Sequence, residues 1–321
     1  MRADEGLAMT VLIDSFADPD EQLAALTGII AGPDGQVWFT SPGTDRVGRI
    51  DPATGAIETV IDRSGELRGP ANIIPGADGK LWFTCPTTDL VGRIDPAAPD
   101  PQATLTAITA PGLRNPVAIK SAADGRIWVS LRAADALAAI DPLADDPGAS
   151  TFVVTHPAID LPAAIFPAAD GRLWFTNTGS PGIGSLDPTA GDPAGTVTVF
   201  TPPGEPALRA WAQDRAGRLW ISTRNPGGIA RFDPVDPSGT WRHLTGPDFA
   251  APDGNTLGAD GGIWVVDSER NALLRIDPET GDIETILDPA IGAPFDLKPG
   301  PGRTLWFTNR SAPTIGRVRA G

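Results

Sequence analysis

The chain is 321 residues long, and its 25 Lys and Arg against 40 Asp and Glu give a net charge of −15. That balance excludes non-specific affinity for nucleic acid, which needs clustered cations to displace counterions. One cysteine, Cys85, excludes an internal disulfide and a Cys-based zinc site, and no apolar run reaches the length that would span a bilayer.

Residues 1–9 read as a disordered N-terminal segment. Met1-Arg2-Ala3-Asp4-Glu5-Gly6 carries acids and leads to no apolar core of signal-peptide length, so a cytoplasmic location is expected. Thr10 to Phe16 is a strand-like run outside any repeat. From there the chain repeats itself. Trp38, Trp82, Trp128, Trp174, Trp220, Trp264 and Trp306 lie at intervals of 44, 46, 46, 46, 44 and 42 residues. Thirteen residues after each of the first six comes an Asp-Pro pair, beginning at Asp51, Asp95, Asp141, Asp187, Asp233 and Asp277. Repeats of this period mark solenoids and propellers.

Unit one contains four strand signals, at Leu26 to Ala31, Gln36 to Thr40, Arg46 to Asp51 and Ala56 to Ile61. The second, Gln36-Val37-Trp38-Phe39-Thr40, is apolar on both faces, as a strand covered by a sheet on each side must be. Asp34-Gly35 and Asp51-Pro52-Ala53-Thr54-Gly55 are turns: Asp caps its own backbone, Pro presets φ, and Gly completes the bend. The 37 Gly and 34 Pro of the chain suit so many turns. Later units lengthen the Asp-Pro connection, as in Asp95-Pro96-Ala97-Ala98-Pro99-Asp100-Pro101. The last unit ends after Thr314-Ile315-Gly316-Arg317-Val318-Arg319 without its final strand.

The fold class is therefore all-β: a seven-bladed β-propeller of four-stranded antiparallel blades, one domain over 10–321. It closes by pairing residues 10–16 with 314–319 in one blade, so that no sheet edge stays open. The Asp-Gly and Asp-Pro turns fall at the bottom. First-strand starts and second-strand ends fall at the top, around a central channel where a monomer of this kind would hold a small-molecule ligand.

The pattern Gly-x-Asp-Gly-x-Leu-Trp-Phe-Thr followed by x-Ile-Gly-Arg-Ile-Asp-Pro is clearest at 34–52 and 78–96 and returns at Leu305-Trp306-Phe307-Thr308 with Ile315-Gly316-Arg317. It resembles the virginiamycin B lyase (streptogramin lyase) family over essentially the whole chain. The resemblance implies ring opening of a cyclic depsipeptide by elimination, in which a base removes the proton α to an ester carbonyl and magnesium stabilises the enolate. It also implies a site over the last two blades. There the family places a His after the Pro that begins each inner strand, a Glu before the second of these prolines, and a Glu at the end of the final second strand. This chain has Asp253 after Pro252 and Phe295 after Pro294, Ala293 before Pro294, and Asn309 with Arg310 at the strand end. Any such chemistry here runs on different groups.

Two positions, read around the ring, define the expected channel mouth. The first comprises Thr27, Ala71, Val117, Ala163, Arg209, Asp253 and Phe295; the second, three past each tryptophan, comprises Ser41, Cys85, Leu131, Asn177, Thr223, Asp267 and Asn309. Polar groups gather in units five to seven. One reading makes Asp253 the general base with Asp267 beside it raising its proton affinity, Arg209, Arg224 and Arg310 holding the substrate carbonyl, Asn309 a neutral donor and Phe295 part of the binding wall. The other makes the same charges ion pairs that satisfy one another. A lyase, a non-catalytic binding propeller and a lactonase-type hydrolase thus all stand, and the metal ligands are unassigned. His156 and His243 read as surface histidines, Trp211 as packing and Cys85 as a buried apolar residue.

Overall fold

A computed structural model describes residues 11–320, so the expected disordered segment 1–9 and Thr10 lie outside it. Seven four-stranded antiparallel sheets follow one another along the chain. Their inner strands touch in sequence order, and the strand Ile29–Ala31 of blade one touches Pro294–Pro299 of blade seven. The closure runs as the sequence indicates: Val11–Ala17 pairs antiparallel with Thr314–Ala320, as the outermost strand of blade seven. Among the described residues no helix is long and apolar enough to cross a membrane.

Each repeat tryptophan is buried between its own blade and a neighbour, and in five blades its indole N–H finds the carboxylate of the Asp-Gly turn. Trp38 donates to Asp34 at 3.1 Å, Trp82 to Asp78 at 3.0 Å and Trp264 to Asp260 at 3.1 Å. The turn aspartates therefore clamp the core as well as the bend. Blade five lacks Asp-Gly and uses Asp214 (2.8 Å), and blade seven uses the Thr304 hydroxyl (2.8 Å). Burial raises the proton affinity of the Asp260 carboxyl, but hydrogen bonds from Arg275 and Trp264 outweigh it and hold the group below the usual aspartate value. Its contribution to stability is thus present above that value and lost as pH falls through the depressed one.

The Gly-Arg-Ile motif has a packing origin. A β-carbon at Gly48 would lie 2.3 Å from the Phe39 ring, and one at Gly316 2.0 Å from Phe307, so only glycine fits opposite the phenylalanine. The next arginine lies over the tryptophan, with Arg49 Cζ 5.7 Å from the Trp38 ring and Arg317 Cζ 5.3 Å from Trp306. The hydroxyl two places after each of several tryptophans crosses to the next blade. Thr84 donates to the Val117 carbonyl (3.0 Å), Ser130 to Ala163 (2.6 Å), Ser222 to Asp253, and Thr308 to Thr27 (2.9 Å). The last of these closes the ring, and the one from Ser222 fixes the backbone on which the site is built.

Candidate active site

A cavity of about 540 Å³ runs along the ring axis, and all seven blades contribute to its wall. At its upper end stand Arg132, Arg209, Asp253 and Phe295; below them are Asn72 and Asp296, then Lys120, Phe166, Thr256 and Lys298. In five blades the inner strand shifts register near its start, for instance between Pro252 and Asn255. The bulge turns two successive residues, Asp253 and Gly254, to the channel.

Asp253 is the hub, only 6% exposed. Its Oδ2 accepts hydrogen bonds from Arg224 and from the Ser268 hydroxyl at 3.0 Å. Among the described residues nothing donates a hydrogen bond to its Oδ1, which faces Arg209 Nε at 3.8 Å. Arg310 anchors its Nε on the Leu26 carbonyl (3.1 Å) and stacks its guanidinium on Phe295, with Cζ 3.3 Å from the ring centroid. Phe295 is thus a platform for Arg310 as well as a wall. Burial pulls Arg209 and Arg310 below the ordinary arginine value; Asp253 opposes this and Arg224 reinforces it. Arg132 adds a further like charge beside Arg209. Arg209, Arg224 and Arg310 gather about one carboxylate, with Arg132 beside Arg209, so this end of the channel is cationic in a chain of net charge −15.

The structure does not bring Asp267 and Asn309 to this cluster. Asp267 is fully buried and accepts from the amides of Ala250 (2.8 Å), Ala251 (3.0 Å) and Arg270 (3.1 Å). Asn309 accepts from Gly292 N–H at 2.9 Å and donates to the Ala290 carbonyl and the Thr314 hydroxyl at 2.8 Å. Ser41 and Asn177 hold their entry loops in the same manner. Four of the seven residues at this position, Ser41, Asn177, Asp267 and Asn309, are thus loop clamps inside the blades, with the Asp267 carboxylate turned to the amides of its own entry loop and the Asn309 amide to Ala290 and Thr314. Asn309 instead borders a separate depression of about 620 Å³ that shares no lining residue with the channel.

Sequence reasoning missed Arg132, Lys120, Lys298 and Asp296. Arg132 lies four residues past Trp128, the offset that yields Arg224 and Arg310, so a count at that offset finds it. The lysines face tryptophans across the inner strand pair, Lys120 opposite Trp128 and Lys298 opposite Trp306. His243 is not a surface group: it is half-buried, hydrogen-bonded through Nε2 to Thr223 Oγ1 at 2.8 Å, and pulled below the ordinary histidine value by burial. Trp211 packs near Phe166 and Phe232, with centroids at 6.4 and 6.2 Å. Cys85 is buried and its thiol is pushed up to about 12 by burial and the charges of Asp45 and Asp62.

The donor set does not suit magnesium. A hard divalent cation needs several free oxygens, whereas Asp253 is flanked by guanidiniums and Asp296 is paired with Lys298 at 2.5 Å. Among the described residues no three His, Cys, Asp or Glu side chains come together to hold an ion.

A family model for the virginiamycin B lyase family matches residues 7–191 and 115–321, together the greater part of the chain. The chain belongs to the virginiamycin B lyase family. Its fold agrees with that membership: a streptogramin B lyase structure superposes with a TM-score of 0.82 at 20% identity, covering 97% of this chain and 98% of that one. A catalytically inactive virginiamycin B lyase from Staphylococcus aureus with quinupristin gives 0.81 at 21% identity, covering 96% and 99%. A putative gluconolactonase gives 0.55 at 16% identity, covering 97% and 92%. A search of curated proteins found no match. This virginiamycin B lyase family member shares the propeller of those structures while carrying the arginine–aspartate cluster described above, built on its last three blades with Arg132 added from blade three.

Proposed function

We propose that this propeller binds a small molecule bearing a carboxylate or ester carbonyl at the top of its channel and acts on it by carbon–oxygen elimination. The observation that carries the proposal is the Asp253 carboxylate, whose Oδ2 is held by Arg224 and Ser268 while Oδ1, beside Arg209, accepts no hydrogen bond among the described residues. Oδ1 takes the proton α to the carbonyl. The electron pair left on carbon delocalises onto the carbonyl oxygen, where Arg209 and Arg310 meet the growing negative charge, and then expels the β-oxygen. Membership of the lyase family favours this reaction class, while streptogramin itself is not implied, because the family's His and Glu positions here are Asp253, Phe295, Ala293 and Asn309–Arg310.

The test is turnover of a panel of depsipeptide esters and lactones in ¹⁸O-water. Elimination yields a conjugated, unsaturated product that absorbs in the near ultraviolet and carries no ¹⁸O. Incorporation of ¹⁸O would show hydrolysis and replace the lyase reading with a lactonase. Saturable binding without any product would leave only a binding propeller.

A further inference from the structure

The chain is built with arginine. Of its 25 basic residues only Lys80, Lys120 and Lys298 are lysines, and two of these three line the channel. An arginine cannot give up its proton in water, whereas a lysine can, so a cation needed only for charge has no reason to be lysine in this background. Lys120 lies on the inner strand Pro116–Ser121 of blade three and Lys298 on Pro294–Pro299 of blade seven. Each is opposite its blade's tryptophan, so the two stand at one depth, on opposite sides of a seven-membered ring.

Their surroundings differ. Lys298 is neutralised by Asp296 at 2.5 Å and donates to the Leu297 carbonyl at 3.0 Å. Among the described residues nothing accepts a hydrogen bond from the Lys120 amine, and the charged groups that act on it are Lys298 and Asp296 alone. The channel wall beside it is largely apolar, with Ala118, Phe166 and Ala212. Lys120 is partly exposed, and what it faces is the channel lumen inside the ring. Desolvation there, with the like charge of Lys298 added and Asp296 opposing, pulls the amine down from 10.5 to about 8. At pH 7 roughly a tenth of it is neutral, against about one part in three thousand for an ordinary lysine.

We infer that Lys120 is a reactive amine site at mid-channel that takes an aldehyde or ketone as an imine. The neutral Nζ attacks the carbonyl carbon, and the C–O π pair moves to oxygen, which is protonated to a carbinolamine. Loss of that oxygen as water, with a proton from nitrogen, leaves Nζ doubly bonded to carbon, with no change of oxidation state. Lys298 and Asp296, paired at 2.5 Å at the same depth, are placed to give and take protons in these steps. Three residues of strand, roughly 7–10 Å, separate this level from the arginine mouth, so the fitting ligand carries a carbonyl at one end and an acid at the other. The amine site stands independently of the proposed elimination; only the preference for an acid-bearing carbonyl compound rests on the arginine reading.

The experiment is reductive trapping on the full chain, with benzaldehyde and 4-carboxybenzaldehyde in cyanoborohydride between pH 6 and 10, located by peptide mass spectrometry. The expected first adduct is on Lys120, ahead of Lys80, with a Lys120-to-Lys80 labelling ratio that is constant below about pH 8 and falls above it, where the neutral fraction of Lys120 no longer grows. Lys298→Gln, which removes the like charge, is expected to move that inflection upward. Labelling of Lys80 or the N-terminus ahead of Lys120, or a Lys120 rate that still rises in parallel with Lys80 above about pH 8, would overturn the proposal. The carboxylated aldehyde is expected to react at least tenfold faster in the wild-type chain. Equal rates with Lys120 still first would support the amine site and count against the arginine mouth as an acid-binding end.

Discussion

Deleting residues 1–17 is expected to destabilise the protein by on the order of 5 kcal/mol or more, seen as a collapse of the soluble yield or a melting temperature at least 10 °C lower. The strand Val11–Ala17 makes seven residue pairs with Thr314–Ala320. Phe16 stacks on Trp306 at 5.6 Å, and Asp14 holds both Arg317 (2.7 Å) and Arg319 (2.9 Å). Without this strand, blade seven ends on an exposed edge, Trp306 loses its cover, and Arg317, which also donates to the Pro52 carbonyl at 2.6 Å, loses its carboxylate. A truncated chain that melted with the full-length protein would mean that ring closure does not depend on this pairing.

The second large effect is expected at Asp253. Replacing it with Asn removes the one carboxylate among Arg132, Arg209, Arg224 and Arg310 and sets an amide N–H₂ against the Arg224 guanidinium. Breaking a buried pair from one side costs about 3–5 kcal/mol, and the exposure of Arg224 and Arg209, 27% and 48%, reduces the expected loss to roughly 2–3 kcal/mol. Arg224→Gln in the same chain should recover part of it, because the repulsion disappears with the second charge. Urea melts of the two single variants and the double variant measure this coupling. A purely additive cycle would show that Asp253 and Arg224 do not act as a pair. At a temperature where Asp253→Asn is folded, the proposed chemistry also requires that it have no turnover.

The fold was legible because its signals are periodic and local. Trp, Phe and Thr alternate along a strand covered on both faces, and Asp-Gly or Asp-Pro punctuates every turn, so seven copies of one pattern specify seven blades. What the copies do for one another was less visible. The turn aspartates read as turn formers, and their second role as indole acceptors appears only once Trp38 and Asp34 stand 3.1 Å apart.

The site was legible in part. Arg209, Asp253 and Phe295 line the channel at its mouth, because the inner strand carries them there, and Arg224 and Arg310, at the ends of second strands, meet them from behind, Arg224 on Asp253 and Arg310 on Phe295. Asp267 and Asn309 failed for a reason of alternation. Three places past a tryptophan is the face that bears the phenylalanine, and Phe39 packs with Trp306 and Leu26 toward the preceding blade, not toward the axis. A second-strand residue on that face meets its own entry loop. Lys120 and Lys298 were missed for the opposite reason: they lie lower on the inner strand, where only the ring geometry shows that side chains from blades three and seven share one lumen.

Calorimetric titration with benzoate at low salt, on the wild-type chain and on Arg209→Gln, tests most directly whether the cationic channel mouth is a ligand site. Arg209 is the suitable residue because its side chain is half-exposed and makes no hydrogen bond to Asp253, so its loss leaves the Asp253–Arg224 pair in place. The expected result is one site per chain, with affinity at least tenfold weaker in Arg209→Gln and weakened in wild type by 0.5 M salt, the behaviour of a charge-assisted contact at a partly exposed site. No heat in either protein, or identical affinities in both, would contradict it and leave the four arginines and Asp253 as a structural ion-pair network.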